Sequence, residues 1–138
     1  ICYRAIELAK EAKKPLIASH SCSRSVYDHP RNISDDVAKE VASNGGIIGV
    51  NFVSDHLGGR SVELLLEHID HLRNTCGRES VCLGTDFDGT SDDTLPYGIE
   101  NVGKIGVLYD ALAKKYHSED IADAVFYKNA EKFAESNF

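Results

Sequence analysis

Three short stretches constrain the fold of this chain most: residues 16–20, 47–52 and 81–86, each a near-continuous apolar run that ends on polar side chains. The polar ends are Ser19-His20, Asn51 and Asp86. An apolar run without alternation needs cover on both faces, which parallel strands flanked by helices provide. The intervening segments carry helical spacing. Residues 1–13 place Ile1, Ala5, Ile6, Leu8, Ala9 and Ala12 on one stripe, which Pro15 ends. Ile33-Ser34-Asp35-Asp36 reads as a staple residue, an N-cap and an acidic first turn for a helix to Ser43, closed by Asn44-Gly45-Gly46. Residues 61–75 predict a second long helix, and the end of the chain predicts two more, over 101–116 and from Ser118-Glu119-Asp120 onward.

The order α-β-α-β-α-β-α-α defines an α/β chain, and in such folds the chemistry gathers beyond the carboxyl ends of the strands. Three parallel strands by themselves leave two raw edges. The chain also opens within a helical stripe and contains no Met. The expectation is therefore a piece of something longer, whose other strands complete the sheet.

Composition removes several function classes. A net charge of −7 with no Lys/Arg-rich run argues against a phosphate-backbone binder, so no nucleic-acid partner is expected. No apolar run approaches the ~18 residues of a membrane helix, and no signal-peptide pattern opens the chain, which favours the cytoplasm. Cys2, Cys22, Cys76 and Cys82 form no C-x-x-C, so reduced thiols are expected rather than a disulfide scaffold or Cys-ligated zinc.

Two clusters carry chemistry. In the first, His20 stands at a strand end and Arg31 follows across a polar loop. The neutral imidazole suits a metal, and the guanidinium suits a carboxylate gripped by two parallel bonds. On spacing alone, a hydrogen-bonded histidine and a surface ion pair explain the same residues. The second is Gly84-Thr85-Asp86-Phe87-Asp88-Gly89-Thr90. Locally, Asp86 to Thr90 resembles the D-x-D-G-T motif of haloacid-dehalogenase-type magnesium phosphatases, with Asp86 as nucleophile beside Asp88. That motif normally opens its domain and is followed by further strands, whereas the sequence after Thr90 is nearly all helical.

Taken together, five blocks in order resemble the membrane (renal-type) dipeptidase family, peptidase family M19. They are Pro15 to Ser21, His29 to Asp36, Gly45 to Phe52, His68 to Leu72 and Leu83 to Gly89. The resemblance covers residues 1–138 as one segment and implies the C-terminal part of a TIM-like (β/α)8 barrel: about three βα units plus closing helices. It also implies zinc-dependent hydrolysis of dipeptides at a binuclear centre, with a bridging carboxylate and a bridging hydroxide. Residue by residue, His20 matches a zinc ligand, Arg31 the residue that binds the substrate's C-terminal carboxylate, and Asp86 a catalytic acid beside the metals. The dipeptide is then the expected partner, and a homo-oligomer is a further alternative.

Departures accompany the match. The family's remaining zinc ligands fall upstream of the first residue, so this chain brings one direct ligand. His56 stands where mammalian members carry a substrate-binding Tyr, and Phe126-Tyr127-Lys128 precedes Asn129 where a Gly-rich segment is usual. His68 and His71 read as packing or supporting residues, His29 as a loop residue, His117 as exposed, and Cys22 as a spectator thiol. A third reading, a binding module without catalysis, accounts for the missing ligands but not for the raw sheet edges.

Overall fold

The three apolar runs pair as parallel strands in chain order, β1 (Ile17–Ala18), β2 (Ile47–Val50) and β3 (Val81–Leu83). Ile17 pairs with Ile47, and Ile48 with Val81. The computed structural model describes residues 2–138. Helices precede and follow the strands: α1 (Cys2–Ala12), α2 (Asp35–Ser43), α3 (Ser54–Leu57), α4 (Val62–Cys76), α5 (Gly106–Tyr116), α6 (Glu119–Asp123) and α7 (Asn129–Asn137). A π-type turn over Ala124–Lys128 joins α6 to α7. It includes Phe126-Tyr127-Lys128, which stand where the resembled family usually has a Gly-rich segment.

The central strand behaves as its sequence demands, with all four residues of β2 buried. Around it Phe52, Leu65, Ile69, Leu72, Leu108, Leu112 and Val125 lose all contact with water. Each such side chain contributes about 1.5–3 kcal/mol of burial free energy. β1 departs from expectation: Ile17 is 49% exposed where Ile48 is 0%. Among the described residues β1 has a partner on one side only, so its apolar run is a sheet edge rather than a covered strand. The strands are also shorter than the apolar runs, and Ser19-His20 and Thr85-Asp86 lie just past their ends.

Small residues bring those ends together. A Cβ on Gly49 would stand 2.3 Å from the Ser19 carbonyl oxygen, and one on Gly84 would stand 2.0 Å from it. A side chain at either position would drive the end of β1 away from the ends of β2 and β3. The Ser21 amide donates to the Gly49 carbonyl at 2.8 Å, and the Gly84 amide to the Val50 carbonyl at 3.0 Å.

Helix starts are mixed. Ser61 caps α4 through its hydroxyl, which accepts from the Leu64 amide at 3.2 Å. Ser34 stands extended before α2 but makes no side-chain cap bond. The first-turn acid is engaged instead: Asp35 Oδ1 accepts from Ser25 Oγ at 2.9 Å and from His71 Nε2 at 2.8 Å. Burial alone would raise the Asp35 carboxyl, but these bonds and the charges of His71 and Lys39 outweigh it and hold it low. The 101–116 helix is also shorter than its pattern, starting at Gly106 after a 3-10 turn over Val102–Lys104.

Buried polar side chains lock the pieces. His68 on α4 is fully buried, accepts the Ser23 amide at Nδ1 (3.0 Å) and donates from Nε2 to the Leu57 carbonyl (3.1 Å). Both nitrogens are therefore occupied by backbone, which fixes the Nε2–H tautomer. Asn129 donates to the Arg78 and Val81 carbonyls, each at 2.8 Å, and so pins the start of α7 to the start of β3.

His68→Phe keeps the volume but orphans the Ser23 amide and the Leu57 carbonyl, at about 1–3 kcal/mol for each group. Burial also holds His68 below its ordinary value of 6.5. The unfolded chain then takes up the proton first, so stability is full above about pH 6.5 and falls as pH drops below it. Urea midpoints at neutral and mildly acid pH are expected to show both effects: a lower midpoint for the variant, and a smaller acid-induced fall.

Candidate active site

His20 leaves the end of β1 with its ring held at both nitrogens. Arg31 is a pure donor, so its Nη2 donates to His20 Nε2 at 3.3 Å. Nδ1 therefore carries the proton and donates to Ser19 Oγ at 2.8 Å. Arg31 reaches this position because the loop between β1 and α2 is stitched closed. The Arg24 amide donates to the Ile33 carbonyl at 2.9 Å, and the Ile33 amide to the Cys22 carbonyl at 2.8 Å. Ser21 Oγ donates to the Arg31 carbonyl at 3.2 Å, and the Arg31 amide to His29 Nδ1 at 3.3 Å.

His56 lies on the short helix α3 after β2, its ring centroid 4.9 Å from that of His29. Its carbonyl accepts from Asn32 Nδ2 at 2.7 Å, and the same amide group donates to the Tyr27 carbonyl at 2.9 Å. Asn32 is buried, and it ties the Arg31 loop to α3. The His56 imidazole is held below its ordinary value of 6.5, first by burial and then by the positive fields of Arg31 and His29, with Asp55 and Asp86 opposing. The ring is thus predominantly uncharged at neutral pH.

Asp86 follows β3 in the left-handed region, at φ 62° and ψ 28°. Such a residue costs about 1–3 kcal/mol and persists where its surroundings over-determine it. Its Oδ2 accepts from Asn51 Nδ2 at 3.2 Å across the strand ends. Asp86, Asp88, Asp92 and Glu100 are among the residues that line an open pocket of about 640 Å3. A second depression of about 670 Å3 lies at the opposite end of the sheet, beside Pro15, Gly46 and Ser80, and holds none of the candidate residues.

His20 has the form of a metal-binding imidazole: its acceptor lone pair is on Nε2, where it now takes the Arg31 bond, and its other N–H is already held by a neighbour. It fits as one ligand. No group of three or more His, Cys, Asp or Glu side chains is placed to hold a metal among the described residues. A complete centre therefore needs donors beyond them. His68 and His71 are committed to backbone and to Asp35, and burial pushes the Cys22 thiol up to about 12, which leaves it inert. His117 is exposed in a left-handed C-cap.

The family model for membrane dipeptidase, peptidase family M19, matches residues 4–135. The chain belongs to this family. An uncharacterized dipeptidase of Schizosaccharomyces pombe is 40% identical over 106 residues, covering 73% of this chain and 25% of that protein. An uncharacterized Klebsiella pneumoniae protein from the pqqA 5′ region is 32% identical over 130 residues, covering 89% and 47%. Among solved structures, the M19 metallopeptidase dipeptidase AC superposes with a TM-score of 0.83 at 30% identity, covering 93% of this chain and 38% of its own. A metallopeptidase from Rhodobacter sphaeroides, liganded with a phosphinate mimic of the dipeptide L-Ala-D-Ala, gives 0.82 at 26% identity, covering 98% and 46%. This M19 chain thus spans less than half the length of these relatives. Membership sets aside the phosphatase reading of Asp86 and Asp88, and the segment after Thr90 forms 3-10 turns and α5–α7 with no further strand among the described residues.

Two polar residues of this M19 site were not assigned roles by motif. Asn51 and Asn32 each join segments far apart in sequence, and no local pattern marks such bonds. The charge relation between His56 and Arg31 is directly measurable. In Arg31→Ala, loss of the cation is expected to move the His56 titration midpoint upward, observed through its imidazole proton resonances.

Proposed function

We propose that residues 1–138 form the C-terminal side of a single (β/α)8 metallo-dipeptidase domain that hydrolyses dipeptides with zinc. What supports this reading is the meeting of a ligand-ready His20 and the cationic Arg31 at 3.3 Å, on the strand ends that also carry Asp86, in an M19 chain. The parallel sheet with an exposed β1 edge supports continuation into a barrel. The dipeptide mimic held by the Rhodobacter sphaeroides relative supports the substrate class.

His20 would hold zinc through Nε2, with the other ligands supplied from outside the described residues. When bound, a zinc pair polarises the scissile carbonyl and lowers the pKa of the attacking water. The work of this chain's own residues is separate. Arg31 grips the substrate's free carboxylate with two parallel N–H bonds, which limits cleavage to peptides whose carboxylate lies one residue from the scissile bond. With zinc on Nε2, His20 would no longer accept from Arg31, which leaves the guanidinium free for the substrate. His56, uncharged at neutral pH, offers the substrate a hydrogen bond without competing with Arg31 for its charge. Asp86 takes the proton of the attacking water and delivers it to the departing amine as the C–N bond breaks.

In the full-length zinc-supplied protein, Asp86→Asn is expected to lower kcat for L-Ala-D-Ala by about 10²–10⁴-fold with KM held. Arg31→Ala should raise KM by roughly 10–10²-fold, the loss of a charge-assisted pair of bonds. His20→Ala should lower zinc per chain in elemental analysis. Undiminished turnover by Asp86→Asn would overturn the proposal.

A further inference from the structure

Asn51 is fully buried at the carboxyl end of β2, with its side-chain amide and its main-chain carbonyl engaged. Its Oδ1 accepts from the Val53 amide at 2.6 Å, which leaves Nδ2 as the donor toward Asp86 Oδ2 at 3.2 Å. The reversed side-chain amide would set oxygen against a carboxylate and NH2 against an N–H, so one orientation alone satisfies both neighbours. The main chain is held as well: Cys22 Sγ donates to the Asn51 carbonyl at 3.1 Å. With its thiol pushed up to about 12 by burial, Cys22 keeps that proton throughout the neutral range.

The opposite side of the carboxylate meets Gly89. The 3-10 turn over Phe87–Gly89 folds back so that the Gly89 amide donates to the Asp86 carbonyl at 3.0 Å. A Cβ on Gly89 would stand 2.2 Å from Asp86 Oδ1 and 2.9 Å from its Cγ. One carboxylate oxygen is thus bonded to a rigid buried donor, and the other lies in space that exists because residue 89 has no side chain. The left-handed backbone of Asp86 aims the group into this slot.

We propose that Asn51 and Gly89 are the positioning residues of Asp86, Asn51 fixing the carboxylate's orientation by hydrogen bond and Gly89 by leaving room for it. The inference rests on the reading of Asp86 as proton carrier in dipeptide hydrolysis. Neither residue touches substrate; both act through the geometry of Asp86.

The test uses the zinc-loaded full-length protein, L-Ala-D-Ala as substrate, and kcat and KM measured separately. Asn51→Asp replaces the donor by an acceptor of the same shape, and Gly89→Ala adds one methyl at an exposed position of its turn. Each is expected to lower kcat by roughly 10²-fold while KM, set by Arg31, stays unchanged. In an Asp86→Asn background, Gly89→Ala should add no further loss. The double variant Asn51→Asp/Asp86→Asn re-forms the bond with reversed polarity, so its melting temperature should recover while kcat does not. Should Asn51→Asp fail to fold, Gly89→Ala decides. Wild-type kcat in folded Gly89→Ala, with Asp86→Asn inactive, overturns the positioning role and leaves the dipeptidase reading intact. Wild-type kcat in Asp86→Asn removes the reading and the inference together.

Discussion

The close approach of three strand ends is the constraint from which the rest of this structure follows. The carbonyl of Ser19 lies against the backbone of Gly49 and Gly84, at distances that no side chain would allow. Because β1 can press that close, the residues leaving all three strands emerge into one region instead of three. His20 and Arg31 meet there, and the Asn51 amide reaches the Asp86 carboxylate from the neighbouring strand. A methyl group at either glycine would act on the site through the sheet.

Around those strand ends, buried polar side chains do what apolar packing cannot. Leu65, Ile69, Leu72 and Leu112 supply burial energy, but such contacts are non-directional and tolerate several loop paths. His68, Asn32 and Asn129 each bind backbone groups at fixed geometry in a medium of low dielectric, where an unmade bond is costly. The loop carrying Arg31 is tied to α4 through Ser23 and to α3 through Asn32. Its position is therefore set by tertiary hydrogen bonds rather than by its own turn chemistry.

The proposed division of labour matches the extent of the chain. Residues 4–135 align with an M19 domain, yet the chain covers 25% to 47% of the relatives compared. On the proposed reading, carboxylate recognition and proton carriage sit on this side of the barrel, and most of the metal ligation sits on the other. The half-exposed Ile17 on β1 has the same explanation: the edge is the place where a further strand would add.

The number and direction of the strands, the helical order and the polar strand ends were legible in sequence, because burial on two faces forces a continuous apolar run and a helix forces its own spacing. The family blocks around His20, Arg31 and Asp86 were legible too, since they are local patterns. Strand length was not, because pairing stops before the apolar run does. Nor was the failure of Ser34 to cap α2 through its hydroxyl. The link from Asn51 to Asp86 spans 35 positions, and the slot that Gly89 leaves exists only once its turn folds back. Local periodicity and composition therefore determined which elements form and which groups carry chemistry. The partners of those groups were decided by long-range contacts, which exist only after the strands have paired and the water between them is gone.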